Sequence, residues 1–167
     1  MARKRRSQLI GVVIGISALI VCFWAGFWEG LRFEKLKFNR VVDGDTFWVT
    51  NLRNGSEWRV RLWGVDAPGM KECYFDEATK ILEKELTTKK ITFDRQGYDA
   101  YGRILAKVYV DGVNVEDILV ATGAAVPYDA FEVHDKLKPS VEYVNNLKKI
   151  EEEAKRGKVG MWSDGCK

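Results

Sequence analysis

From residue 35 to residue 65 apolar and polar positions alternate in three short runs, and after Pro68 the period changes. "KLKFNRVVD" (35–43) and "DTFWVTNL" (45–52) are rich in β-branched and aromatic residues, with "DGD" between them as turn chemistry. "RNG" (53–55) is a second turn ahead of "SEWRVRLWGV" (56–65). In that third run Trp58, Val60 and Leu62 alternate with Arg59, Arg61 and Trp63, the period of a two-faced strand. Phe75, Ala78, Ile81, Leu82 and Leu86 then recur at helical spacing, which predicts a helix from Tyr74 to Leu86. "KKITFD" (89–94) and "GRILAKVYVDG" (102–112) supply two more strands, and "VEDILVAT" (115–122) a short helix that stops at Gly123. A last helix is predicted from Ser140 to Arg156, with Val141, Val144, Leu147 and Ile150 on one stripe and Pro139 and Gly157 as its brackets. Three strands, a helix and two strands describe an α+β fold: a five-stranded OB-like β-barrel with a capping helix, and two further helices outside it.

The N-terminus follows another pattern. "RKRR" (3–6) precedes "LIGVVIGISALIVCFWAGFW" (9–28), which has no charged residue. As a helix such a run spans ~30 Å, the hydrocarbon thickness of a bilayer. Trp24, Phe27 and Trp28 suit an interfacial belt better than a cleavage site, so the expectation is an uncleaved transmembrane anchor, with a cleaved secretory signal as the alternative. The organisation predicted is a basic cytoplasmic tail (1–8), an anchor (9–28), a linker (29–34) and one domain (35–165) outside the membrane.

Charge changes meaning once that segment is set apart. The chain has 27 basic and 24 acidic residues; without Arg3, Lys4, Arg5, Arg6 and Glu29 both counts fall to 23. The net +3 is therefore a topology signal, and a polyanion would have to be held by local charge. Cys73 and Cys166 are the one cysteine pair beyond the anchor; in an oxidising exterior they are expected to bond, the alternative being two thiols. His134, the single histidine, has no metal-binding partner motif and reads as a surface residue.

Candidate chemistry lies in four places. "DGDT" sets Asp43 and Asp45 around a glycine, and "RLWGVDAP" sets Arg61 on a strand with Asp66 at its end. "DAYGR" puts Asp99, Tyr101 and Arg103 at a hairpin, and Tyr128 and Phe131 follow Gly123 in a loop where aromatics could stack on a base. Singly, each has an ordinary explanation as a turn, a surface charge or packing. Together, "DGDT", "RLxGVDAP", "YGR" and a C-terminal "GMW", in this order over residues 35–165, strongly resemble the staphylococcal-nuclease-like (thermonuclease) family.

That resemblance implies a calcium-dependent phosphodiesterase acting on DNA and RNA, preferentially single-stranded, cutting the 5′ oxygen–phosphorus bond and leaving 3′-phosphates, in a chain expected to be monomeric. Carried over position by position, Asp45, Asp66 and the backbone carbonyl of Ala67 would be the Ca²⁺ ligands, with Asp43 supporting them. Arg61 and Arg103 would grip the scissile phosphate, a task for which the planar guanidinium fork suits and lysine does not. Tyr101 and Tyr128 would stand near the nucleotide. The sequence departs from the family at Gly69, where Asp-x-Pro-Glu supplies the glutamate that activates water. Glu72, three residues on, is the expected replacement base, reached through a loop that Gly69 lets bend; its other reading is an acid at a helix start. Slow turnover through calcium-activated water alone and a nucleic-acid-binding domain that does not cut are the remaining readings of the gap.

Overall fold

The computed structural model describes residues 36–128 and 137–166, all within a compact unit spanning Glu34–Lys167. The tail, anchor and linker expected at 1–34, and Phe131 and His134, lie outside the described residues, among which no helix is long and apolar enough to cross a membrane.

The elements follow the hydrophobic pattern. Strands β1 (Leu36–Asp43), β2 (Thr46–Asn51), β3 (Glu57–Leu62) and β4 (Val65–Asp66) precede helix α1 (Phe75–Leu86). Then come β5 (Ile91–Tyr98), β6 (Ile104–Val110), β7 (Val113–Asn114), α2 (Val115–Ala121), β8 (Val126–Pro127) and α3 (Val141–Arg156), with two 3₁₀ turns at Gly160–Trp162 and Asp164–Cys166. Asn114 caps α2 by accepting the Asp117 N–H, and Ser140 caps α3 by accepting that of Tyr143, as the serine after Pro139 predicts. Val141 departs from expectation, being exposed as the first residue of α3; Val144 and Leu147 are buried as expected, Ile150 packs partly buried against the core, and Ala154 extends the stripe.

The main sheet runs β1-β2-β3-β6-β5, with β7 pairing β6. All its pairings are antiparallel except β3 with β6, whose parallel register requires the crossover through α1 and β5. β1 and β5, the ends of the path, approach each other, but among the described residues no ladder joins them. Among the described residues the arrangement is therefore a mixed α+β fold, one main sheet with three helices, rather than a fully closed barrel. Bulges at Phe38/Arg40, Val41/Asp43 and Arg95/Gly97 bend the two outer strands.

Phe47, Val49, Val60, Leu62 and Val108 face a core closed by Ala78, Leu82 and Leu86 of α1, Leu119 and Val120 of α2, and Leu147 of α3. A second apolar cluster lies just beyond the end of β3. Trp63 is buried with Leu105 in a second cluster that includes Tyr128, Leu137 and Tyr143, and its ring stacks on Tyr143 at 5.4 Å.

The expected single strand 56–65 is broken at Gly64, whose φ of +84° favours glycine and where a Cβ would lie 2.7 Å from the Tyr143 ring. The bend turns Val65 and Asp66 into pairing with Val126 and Pro127. A disulfide joins Cys73 to Cys166 with Cα atoms 5.5 Å apart across 93 positions, tying the chain's end to the segment before α1.

Candidate active site

β1 and β2 meet at Gly44, which packs so closely under the next loop that a Cβ there would lie 2.7 Å from Ala67 Cβ. This closeness brings the "DGD" turn against the end of β4. Asp45 Oδ2 accepts the Ala67 N–H at 3.0 Å, and Asp45 Oδ1 accepts the Thr46 hydroxyl at 2.9 Å. Asp43 Oδ1 accepts the Asp45 N–H at 3.2 Å.

Arg61 reaches into the same place from β3. Its Nη1 lies 2.6 Å from Asp45 Oδ2 and donates to the Val65 carbonyl at 3.1 Å; its Nη2 donates to Asp66 Oδ1 at 2.6 Å. The guanidinium thus joins the two acids that the family pattern assigns to a cation. Asp45 and Arg61 are buried, at 6% and 7% exposure, while the Asp66 side chain is half open to solvent. Burial pushes the Asp45 carboxyl up to about 6, outweighing Arg61 and the Ala67 N–H, which pull it down; Asp43 adds to the rise and Thr46 opposes it.

Arg103 arrives from the turn before β6. Asp99 fixes it twice, through the Arg103 N–H at 2.9 Å and through Nε at 2.5 Å, and Nη1 lies 3.5 Å from the Thr46 hydroxyl. Asp45, Asp66, Arg61 and Arg103 line one cavity of about 410 Å³, with Asp43, Ala67 and Gly69 also on its wall. Thr46 and Asp99, which hold these groups, carried no role in the sequence reading; their signal was adjacency, one after "DGD" and one four residues before an arginine.

Glu72 stands at the edge. Its Oε2 accepts the Gly69 N–H at 2.6 Å, and its own N–H donates to the Gly69 carbonyl at 2.9 Å. A Cβ built on Gly69 would lie 3.6 Å from the Glu72 carboxyl carbon, so this carboxylate stands beside the start of any residue-69 side chain. The turn, not glycine's freedom, brings it there, because Gly69 has no positive φ. Glu72 does not cap α1, whose N-terminal flank is Tyr74 in a left-handed conformation without a side-chain cap. Nor is Glu72 among the residues lining the cavity.

The two tyrosines part company. Tyr101 is 83% exposed, with the Arg103 guanidinium 5.4 Å from its ring. Tyr128 packs on the Trp63–Leu105 cluster, and neither tyrosine is among the residues lining the cavity.

The donor chemistry fits a hard divalent cation: carboxylate oxygens of Asp45 and Asp66, with Ala67 on the same cavity wall. Among the described residues no group of three or more His, Cys, Asp or Glu is placed to hold a metal ion, so such a cation would draw on backbone and water oxygens too.

The profile of the family described as "Staphylococcal nuclease homologue" matches residues 59–164. A protein of Escherichia coli named an uncharacterized endonuclease is 36% identical over 126 residues, 75% of this chain and 74% of its own length. From Bacillus subtilis (strain 168), SPbeta prophage-derived endonuclease YokF is 38% identical over 135 residues, 75% of this chain and 43% of its own. Endonuclease YncB of the same strain is 36% identical over 142 residues, 79% of this chain and 63% of its own.

Proposed function

The chain belongs to the staphylococcal nuclease family, and from that premise we propose a calcium-dependent nuclease that hydrolyses DNA and RNA at the outer face of a membrane. The hydrolase class follows from the family; the cation, the preference for single strands, the 3′-phosphate products, the monomeric state and the membrane location are the proposal. The observation that carries it is the meeting of two acids and two arginines, from separate strands and turns, on one cavity wall.

Asp45, Asp66 and the Ala67 carbonyl would hold Ca²⁺, with Asp43 keeping the Asp45 backbone in place. When bound, calcium offsets phosphate charge and acidifies a water. Arg61 and Arg103 would bind the scissile phosphate and oppose the charge that builds on it, each already oriented by a carboxylate. Water would attack phosphorus, its proton passing to Glu72, as the 5′ oxygen–phosphorus bond breaks and the departing 5′ oxygen takes a proton from solvent. Glu72 reaches it by a rotation of its side chain away from the Gly69 N–H. Tyr101, exposed beside Arg103, would take a base on its ring.

The uncharged run at 9–28 behind four basic residues supports the membrane location. A membrane-tethered binder that does not cut is the second reading, favoured by one observation: among the described residues no glutamate lines the cavity. The test incubates the full chain with single-stranded DNA, with calcium or with chelator. Calcium-dependent cleavage that disappears in Arg61→Ala is expected; DNA bound intact under both conditions overturns the hydrolytic reading. For the anchor, the mature protein should keep its first residues and sediment with membranes, and a product beginning near residue 30 refutes it.

A further inference from the structure

Along the sheet face that carries Arg61, the next rung away from the cavity is a row of three side chains. Arg40 on β1 lies opposite Trp48 on β2, and Trp48 lies opposite Arg59 on β3, one rung beyond the Thr46–Arg61 pair. Two residues along a strand is ~7 Å, so Arg59 follows Arg61 closely on the same face. The Arg40 guanidinium sits 5.3 Å over the Trp48 ring. Arg40 is exposed, and Trp48 and Arg59 are half-buried.

These cations lack the partners that both cleft arginines have. Neither Arg40 nor Arg59 forms an ion pair among the described residues, and the buried Arg59 Nε has no hydrogen-bond partner. The acid of the following rung, Glu57, is engaged by the Asn39 amide at 3.0 Å. Two arginines without an ion pair among the described residues, flanking one indole, carry a chemical requirement: anions at either side and a flat ring between them. A lone acidic group meets half of it, whereas a nucleic-acid strand meets all of it.

We propose that Arg40, Trp48 and Arg59 form a second nucleic-acid subsite, which takes single-stranded DNA or RNA leaving the cleft. One base stacks on the Arg40–Trp48 pair, and Arg40 and Arg59 bind phosphates. The inference rests on nucleic acid being the substrate of the cleft. Its consequence is a preference for longer chains over short ones.

The test measures anisotropy of the full chain in mild detergent, with chelator so that nothing is cut. The ligands are thymidine dinucleotide, oligothymidylate of about twelve nucleotides, a length ordinary for sites of this kind, and poly-glutamate. The wild type should favour the oligonucleotide over the dinucleotide, and in Trp48→Ala that ratio should fall about tenfold or more. In the Arg40→Gln/Arg59→Gln pair the slope of log affinity against log salt should fall by about 1.4, roughly 0.7 for each phosphate contact. The pair changes no core residue, so it keeps the test decisive if Trp48→Ala unfolds. A ratio and slope equal to wild type, or poly-glutamate bound as well as the oligonucleotide, overturns the subsite. The outcomes stay separable: wild type that binds the longer strand through this row but never cuts it refutes the nuclease and leaves the subsite standing. Cleavage with unaltered binding in both variants does the reverse.

Discussion

The Glu72 carboxylate accepts the Gly69 N–H at 2.6 Å, and thereby lies beside the position from which a residue-69 side chain would project. A turn that closes the Glu72 N–H onto the Gly69 carbonyl holds it there, the position proposed for the replacement base. Glu72→Gln should lower kcat about 10²- to 10⁴-fold, the usual contribution of a general base, with a smaller effect on KM. Adding Gly69→Glu should restore much of the rate, because the ordinary φ at 69 accepts a side chain. A Glu72→Gln enzyme as fast as wild type removes Glu72 from the mechanism.

Arg61 and Arg103 differ in what they hold up. Arg61→Ala leaves buried Asp45 without its cation, so it should lose activity and also cost roughly 3–5 kcal/mol of stability in denaturant unfolding. Arg103→Ala should lose comparable activity with a smaller change in stability, since among the described residues its ion pair is local, to Asp99. Equal destabilisation by both would contradict this division.

Calcium should raise the thermal midpoint of the wild type by mass action, about 2.7 kcal/mol at a hundredfold excess over Kd. In Asp66→Asn the rise should shrink sharply, because a carboxylate oxygen has gone from the proposed shell. Scanning calorimetry against added calcium reads this, and an undiminished rise would move the ion elsewhere.

Glu116 should produce a pH effect that the sequence did not announce. It is fully buried on α2, its Oε1 accepts the Val108 N–H at 3.0 Å, and burial pushes its carboxyl up to about 8. The folded protein therefore keeps this proton while the unfolded chain has released it, and the stability this contributes is lost as pH rises from about 4.5 towards 8. Asp45, raised to about 6, acts in the same sense over a lower range. Glu116→Gln should flatten the decline between pH 6 and about 8, measured as the denaturation midpoint against pH. A wild-type decline unchanged in the variant would reject the assignment.

Reducing the Cys73–Cys166 bond frees a loop of 93 positions and should cost roughly 2–4 kcal/mol. Cys166→Ser should unfold at lower denaturant than the oxidised wild type and match the reduced protein, and coincident oxidised and reduced curves would contradict this.

What the chain alone determined is local in origin. Alternation in 36–62 and helical spacing in 75–86 and 141–156 report which face each segment buries, and caps such as Asn114 and Ser140 act within three residues. The motif residues Asp45, Arg61, Asp66 and Arg103 were legible too, because their types and order together are specific. Apart from the Cys73–Cys166 bond, contacts between distant segments were not. That Gly64 bends β3 under Tyr143, that Arg61 binds both acids, and that Glu116 keeps its proton are set by packing across the fold. The same holds for Tyr128, which turned to Trp63 and Leu105, and for a sheet path whose ends remain unladdered. Periodicity records only whether a side chain avoids water. Its neighbour across space, and so its charge state and its work, depends on long-range contacts that local pattern does not encode.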